Sequence, residues 1–503
     1  MRIHVQGKRL IDSAGREVLL HGVNMVCKDK SRAYIGDWGD GDFAKLRRWG
    51  MNVVRLGIIW DGLEPEPGSY AESYVEELRR LIRLAAKHEL RVFLDMHQDL
   101  YSSSFGDGAP AWATVTAGET FAASEKWSDG YLFSGAVQKA FDHFWNNEVG
   151  PGCIGIQDRY VAAWRYVAEK LGGESNVIGY DLMNEPFPGS DAIAATEAMF
   201  AEYARIVEER TGEPPLSVAE LQAAWLDPSA NEAATRWLED PAVLGRVAQA
   251  MAPSLQRFDR SMLSQMYRKA ASAIRESDPS GILFLEADYF SNMGMPSAIE
   301  PVTDAAGKRD ANQIYAPHAY DIVTDTDSAF AANDGRVTFI FDCHEGTRDR
   351  LDMPMLVGEW GAYYGSQDSG HAAVHIQRLM ERLLCGDTYW DYTPAMDRHS
   401  SFVGVCRGYP AAVAGRLLQY RYEPLFGSFQ MSWDEDARIG QPTQIYLPDI
   451  RHIRRESVFL SPPADSFKIL KIEGSDAGLL EIPPTADGPR SLAIIGRNRG
   501  ERD

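Results

Sequence analysis

The sequence predicts a (β/α)8 (TIM) barrel followed by a small all-β domain of the β-sandwich kind, on three observations. Eight short apolar runs ending in polar residues are spread between residues 18 and 392, helical patterns lie between them, and from about residue 421 short alternating segments take over. The runs are VLLHGV (18–23), NVVRLGI (52–58), RVFLDM (91–96), NVIGYDLM (176–183), ILFLEA (282–287), QIYAP (313–317), PMLVGE (354–359) and DTYWDY (387–392). Continuous runs, unlike alternating ones, mark strands buried on both faces, as in a parallel sheet covered by helices.

The helical patterns follow in turn. They are DFAKLRRWG (42–50), SYVEELRRLIRLAAKHEL (73–90), RYVAAWRYVAEKL (159–171), AATEAMFAEYARIVEER (194–210), MLSQMYRKAASAIRES (262–277) and HAAVHIQRLMERLL (371–384). Eightfold alternation favours the closed barrel over an open doubly wound sheet. The open sheet would place a glycine-rich phosphate turn after its first strand, and HGVNMVCKDK contains none.

Two insertions enlarge the barrel, which is expected to occupy residues 1–420. Residues 101–158 carry SSSFGDGAPAWATVTAG and the aromatic FDHFWNN, and residues 211–259 are expected to form a peripheral helical pair. The last part, 421–503, holds FGSFQMSWD, TQIYLPD, SFKILKIE, GLLEI and SLAIIG between Pro, Gly and Asp turns, the mark of a β-domain whose role is packing.

Composition limits the partners. With 51 basic and 72 acidic residues the net charge is −21, which repels phosphate backbones and anionic headgroups, so nucleic acid is excluded as a partner. The cysteines Cys27, Cys153, Cys343, Cys385 and Cys406 form no CxxC pair, suggest neither a disulfide framework nor structural zinc, and fit a reducing compartment. No apolar h-region follows the N-terminus, so a cytoplasmic chain is expected as the sequence stands, and a secreted one if its N-terminus has been trimmed.

In a barrel of this kind reactive groups gather where strands end at the carboxyl face. The second run carries Arg55, the third leads into His97-Gln98-Asp99, and the fourth into Asn184-Glu185. His318 and Tyr320 follow the sixth, Glu359 closes the seventh, and Trp390 lies in the eighth. Glu185 and Glu359 come from strands on facing sides of the ring. Two such carboxylates can divide labour: one kept neutral by burial protonates a leaving oxygen, and one kept ionised, here by Arg55, attacks an anomeric carbon. A gap of about 5 to 5.5 Å between them means retention of configuration, and about 6.5 to 9.5 Å means inversion. Each residue alone has an ordinary reading, as a loop ion pair, a hydrogen-bonded histidine or core packing. Trp390 at a strand end can instead offer its face to a sugar ring.

With these residues in view, the sequence resembles glycoside hydrolase family 5: DLMNEPF and VGEW carry the likeness, with Arg55, His97, Asn184, Glu185, His318, Tyr320, Glu359 and Trp390 in order. The strings GVNMVCKDK, DMHQDLYSSSFGDGAPAWA, FWNN, YAPHAYD and GEWG resemble its endoglycoceramidase branch and the glucosylceramidase-like relatives. The resemblance implies Glu185 as acid/base and Glu359 as nucleophile, Asn184 on the sugar 2-hydroxyl, and Tyr320 and Arg55 positioning the nucleophile. It implies His97, His318 and Trp390 in the glycone pocket, with Lys28 and Asp99 on sugar hydroxyls.

The implied reaction is hydrolysis of a β-glycosidic bond between a sugar and a lipid such as ceramide, without metal or organic cofactor. The implied partner is a glycolipid met at a membrane or micelle surface, and strong activation by detergent is expected because the acidic surface opposes adsorption to acidic bilayers. A lipid aglycone needs an apolar channel, for which Phe105, Trp112, Phe121, Trp127, Tyr131, Phe133 and Trp145 are candidates, with ordinary lid packing as the competing role. The alternatives are a retaining β-glucosidase or β-glucanase acting on sterol glucosides, simple glucosides or polysaccharide, and a binding barrel that has lost catalysis. A metal-dependent hydrolase is disfavoured by the absence of an HxH pair at a strand end.

Overall fold

The structure of the protein, a computed structural model, describes residues 2–124, 126–227, 230, 235–324, 332–364, 366, 369–463 and 467–496. Eight parallel strands form the barrel: β1 (His21–Met25), β2 (Val53–Ile59), β3 (Arg91–His97), β4 (Val177–Asp181), β5 (Ile282–Leu285), β6 (Gln313–Tyr315), β7 (Leu356–Val357) and β8 (Gly386–Tyr389). Their order round the ring is β7-β8-β1-β2-β3-β4-β5-β6. A parallel bridge between Tyr315 and Met355 closes it, and above that bridge His318–Ala319 pairs in parallel with Glu359–Trp360.

Every apolar run overlaps a barrel strand. The first run straddles two structures, however: Glu17–Val18 pairs antiparallel with Tyr409–Val413, and the barrel begins only at His21.

Alternation along the strands builds the barrel interior in layers. Val53, Phe93, Ile282 and Phe284 form the apolar base, where Phe93 stacks on Phe284 with centroids 4.2 Å apart, and Ile3 and Leu10 of the N-terminal hairpin plug it from below. Two residues further along the same strands stand Arg55, Asp95 and Glu286, all buried. The interior thus changes from apolar to charged within one layer, and a cavity opens above the charged one.

Helices cover the outside in the way their periodicity demands. The helix Glu72–Lys87 buries Tyr74, Val75, Leu78, Leu81, Ile82 and Ala85, the i, i+3, i+4 face of an amphipathic helix. The helix Asp334–Leu351, after β6, escapes the sequence pattern because Arg336 and His344 share its buried face with Val337, Ile340 and Phe341.

The β-domain is a sandwich of two antiparallel sheets. One contains Tyr409–Val413, Thr443–Leu447, Lys468–Lys471 and Gly478–Ile482 with the N-terminal strands Ile3–Gln6, Arg9–Asp12 and Glu17–Val18; the other contains Gly415–Glu423, Ser428–Glu435, Val458–Ser461 and Gly488–Ile494. Phe429, Met431 and Trp433 alternate inward from the second and meet Ile445, Leu480 and Ile482 of the first. The sheets therefore start at residue 409, before the change of pattern at 421, and recruit the chain's beginning. Tyr409 and Tyr446 fasten the domain to the barrel by donating to the carbonyls of Gly50 and Arg48, at 2.8 and 2.7 Å.

Candidate active site

The cavity at the carboxyl ends of the strands has a volume of about 440 Å³, and its lining includes Lys28, His97, Asp99, Glu185, Tyr320, Glu359 and Trp390. Beneath it lies Arg55, fully buried. Its guanidinium donates to Asp181 Oδ2 (2.8 Å), Glu286 Oε1 (2.8 Å), Glu359 Oε1 (2.6 Å), Asn24 Oδ1 (3.0 Å) and Asn184 Oδ1 (2.9 Å). Asp95 Oδ1 stands 2.9 Å from the same group. Only a planar fork with five N–H donors can serve so many acceptors from one point. Around this one cation burial and the charge of Glu286 raise the Asp181 carboxyl well above its usual range, whereas Arg55 and His97 together hold that of Asp95 below it against the cost of burial.

Glu359 is fixed on both oxygens, since Tyr320 donates its hydroxyl to Oε2 at 2.8 Å while Arg55 holds Oε1. Glu185 is held differently. Its Oε1 accepts from Asn292 Nδ2 at 2.7 Å and from His318 Nδ1 at 2.9 Å, so a proton on this carboxyl belongs on Oε2. Burial raises the Glu185 carboxyl to about 7, with the charge of Glu359 adding to the rise and His318 opposing it. One oxygen each of Glu185 and Glu359 and one nitrogen of His318 all lie within 4.8 Å of one another. That close approach fits the short separation of a retaining pair.

The backbone at Glu185 has φ +44°, unusual for a residue with a Cβ, and its surroundings impose it. Its N–H donates to Glu286 Oε2 at 2.8 Å, and Gln98 Nε2 donates to the carbonyls of Asn184 and Glu185 at 2.9 and 3.1 Å.

His318 sits behind the two carboxylates. Burial alone would depress its imidazole, and Glu286 and Glu359 override that and hold it well above the usual range. Its Nε2 lies 3.2 Å from Glu286 Oε1.

The opposite wall carries Trp390. The His97 ring lies parallel to it with centroids 5.3 Å apart, and the Lys28 ammonium stands 4.5 Å from the indole centroid. Lys28 is ion-paired with Asp99, and His97 Nδ1 is bonded to Asp95 Oδ2 at 2.8 Å, while His97 Nε2 has no hydrogen-bond partner among the described residues.

The structure thus brings all ten sequence-predicted residues together, on two levels. Lys28, His97, Asp99, Glu185, Tyr320, Glu359 and Trp390 line the cavity, whereas Arg55, expected to position the nucleophile, and Asn184 and His318, expected in the sugar pocket, stand behind that lining. Asn184 Oδ1 accepts from Arg55 and its Nδ2 donates one hydrogen to the Gln98 carbonyl at 3.0 Å, and His318 serves the carboxylates.

Sequence reasoning missed Glu286, Asn292, Asp95 and Asp181. Glu286 closes the fifth run, and the strand-end rule applied there would have found it. Asp95 and Asp181 were visible as charges inside apolar runs. Asn292, in the short turn Tyr289–Met293, gives no signal of its own.

Of the aromatic candidates, Phe105 and Trp127 line the cavity. Phe121 packs on Phe105 at 4.9 Å, and Phe133 lines neither this cavity nor the apolar chamber beside it. Trp112, Tyr131 and Trp145 are packed among other rings, against Trp60, Phe187 and Phe258 respectively.

The second insertion is not peripheral. With the helix Asp191–Thr211, its helices Val218–Leu226 and Pro241–Phe258 enclose an apolar chamber of about 100 Å³ lined by Met199, Phe200, Leu221, Trp225, Leu244, Val247 and Met251. The chamber shares Lys126, Ser128, Tyr289, Met293 and Ile322 with the catalytic cavity. Residues 228, 229 and 231–234 of the insertion lie outside the described residues.

Comparison with known proteins agrees with this architecture. A family profile described as "Cellulase (glycosyl hydrolase family 5)" matches residues 11–396, and one described as "Glycoside hydrolase family 5 C-terminal domain" matches residues 407–469. Endoglycoceramidase I of Rhodococcus hoagii is 25% identical over 465 residues, which is 90% of this chain and 80% of that protein. A glucosylceramidase of Aspergillus fumigatus is 26% identical over 438 residues, 64% of this chain and 57% of that one. Among solved structures, endo-glycoceramidase II from Rhodococcus sp. in its cellobiose-like imidazole complex superposes with a TM-score of 0.72 at 24% identity, covering 98% of this chain and 100% of that chain, a likeness of fold.

Proposed function

The chain belongs to glycosyl hydrolase family 5, and we propose that it hydrolyses the β-glycosidic bond between a sugar and a lipid such as ceramide, with retention of configuration. The observation that carries the proposal is the adjacency of the two cavities: a polar pocket built round a close carboxylate pair lies beside an apolar chamber and shares five wall residues with it, as an amphiphilic substrate requires. The names of the relatives from Rhodococcus hoagii and Aspergillus fumigatus favour the same substrate class.

The reaction follows from the geometry. Glu185 gives its Oε2 proton to the glycosidic oxygen while a Glu359 oxygen attacks the anomeric carbon from the other face; the C–O bond to the lipid breaks and a glycosyl ester of Glu359 forms. Glu185, now a carboxylate, takes a proton from water, whose oxygen attacks the same carbon and releases Glu359. Two inversions give net retention. Arg55 and Tyr320 fix the nucleophile's orientation, and Trp390 offers the glycone a flat face.

The chamber suits an alkyl chain better than a second sugar. Met199, Met251, Met293 and Met295 contribute to its lining, and unbranched thioether side chains repack readily round a flexible guest.

The test pairs chemistry with products. Glu359→Ala should lower turnover about 10³-fold or more, by loss of covalent catalysis, and azide should restore it with formation of the α-glycosyl azide. Glu185→Ala should spare aryl glycosides with good leaving groups and give the β-azide. On a panel of glucosyl-, galactosyl- and oligoglycosyl-ceramides, sterol glucosides and β-glucans, free ceramide is the expected product, and its sugar partner identifies endo or exo action. Oligosaccharide ladders from β-glucan with intact glycolipid would overturn the substrate assignment.

A further inference from the structure

Two polar atoms in the catalytic cavity have no task in the mechanism above. Asp107 lines the cavity at 2% exposure, and its Oδ1 finds no hydrogen-bond partner among the described residues. His97, bonded through Nδ1 to Asp95, has an equally unpartnered Nε2. One oxygen each of Asp107 and Asp99 and one nitrogen of His97 lie within 4.8 Å of one another.

The loop that delivers Asp107 is built for the purpose. Asp99 and Asp107 exchange backbone hydrogen bonds, Asp99 N–H to the Asp107 carbonyl at 3.2 Å and Asp107 N–H to the Asp99 carbonyl at 3.1 Å. On one side of Asp107, a Cβ at Gly106 would stand 2.6 Å from the Asp99 carbonyl oxygen. On the other, Gly108 has φ +114°, and its Cβ would meet Gln98 Cβ and the Tyr101 carbonyl oxygen at 2.6 Å. Only glycine fits on either side, and the result is an acid pressed against another acid with an oxygen unpaired. Such burial is unfavourable unless something pairs with it.

A metal cation is a poor occupant, because the Lys28 ammonium already pairs with Asp99 and attracts Asp107 as well. What the pocket still asks for is a neutral group that both donates and accepts beside the Trp390 face, and a sugar hydroxyl is such a group. We propose that Asp107 is a specificity-determining residue which, with His97 Nε2, holds one hydroxyl of the glycone beyond its C2.

The inference rests on the glycosidase reading of this cavity. Burial, then the charge of Asp99, pushes the Asp107 carboxyl up to about 7 against the pull of Lys28 and His97, so near neutrality it is available in both donor and acceptor forms. Tyr34 and Tyr74, behind the loop, feel its charge too.

The experiment measures kcat/KM of the full chain and its Asp107→Ala and Asp107→Asn variants on an aryl β-glucoside and its 3-, 4- and 6-deoxy counterparts, with melting temperatures alongside. Asp107→Ala should lose about 10- to 100-fold on the parent glucoside, the scale of a hydrogen bond to a polar or charged group, and lose nothing further on the one analogue lacking the hydroxyl it holds. Asp107→Asn, nearly isosteric, should melt like the wild type and show a smaller loss with the same selectivity. An equal loss on every analogue, or none on the parent, overturns the proposal. Failure of the wild type to cleave any of the aryl glycosides would instead remove the glycosidase reading beneath it.

Discussion

The charged floor of the cavity and the apolar chamber beside it solve opposite problems. The floor holds Arg55, Asp95, Asp181 and Glu286 with little or no exposure, and each of Arg55's nitrogens has a partner fixed in direction. The chamber is lined mainly by methionines, aromatics and aliphatics, with a hydrogen bond from Trp225 Nε1 to Asp129 Oδ1 at 3.2 Å in its wall. The floor gains geometric definition at the expense of tolerance, since a buried charge without its partner is strongly destabilising. The chamber gains tolerance at the expense of definition, because apolar burial is non-directional. Catalysis needs the first where bonds change, and recognition of a flexible chain needs the second.

The sharpest way to break the comparison is at Arg55. Arg55→Met keeps much of the volume and strands four carboxylates, so unfolding in urea should show a loss of about 3 to 5 kcal/mol or more, together with loss of activity. Arg55→Lys keeps the charge without the fork and should recover only part of the stability. A loss below about 1 kcal/mol for Arg55→Met would mean that the floor is as tolerant as the chamber.

The floor was also the legible part of the molecule. A carboxylate at the end of an apolar run is out of place unless chemistry calls for it, which is how Glu185 and Glu359 stand out, and by the same rule Glu286 was within reach. The chamber left no such mark. Leu221, Trp225, Val247 and Met251 are ordinary helical apolar residues, and whether they face a core or a cavity depends on how distant helices meet. The pairing of Glu17–Val18 with Tyr409–Val413 was hidden for the same reason: the partners are far apart in the chain, and neither strand carries a pattern that names the other.

A second effect, smaller than that at Arg55, tests how the floor treats protons. Glu185 titrates near 7 in the fold and near 4.3 when unfolded, so between these values the native state holds a proton that the unfolded chain has lost, and stability falls as pH rises through this window. Glu185→Gln keeps the acceptor for Asn292 and His318 and cannot titrate. Its stability should match the wild type near pH 4 and exceed it by about 2 to 4 kcal/mol at pH 8, measured as the difference between urea midpoints at the two values. The wild type's kcat/KM should fall above pH 7 over the same titration, as the general acid loses its proton. A stability difference that does not change with pH would place the titration elsewhere in the cluster.

The smallest effect is expected in the chamber, and it bears on substrate alone. Ala224 lines the chamber from the helix Val218–Leu226. Ala224→Trp would fill much of the space that an alkyl chain needs without touching the carboxylates, the Trp390 platform or any group bonded to Arg55. Its kcat/KM on a glucosylceramide should drop about 10-fold, equivalent to about 1.4 kcal/mol of lost contact, while the aryl glucoside is cleaved at the wild-type rate. Because a partly buried helix position beside flexible methionines can absorb an added ring, the stability change should stay within about 1 kcal/mol. Equal losses on both substrates would mean that the floor senses the chamber wall. No loss on either would mean that the lipid leaves the catalytic cavity by another route, and would make the chamber part of the packing of the second insertion.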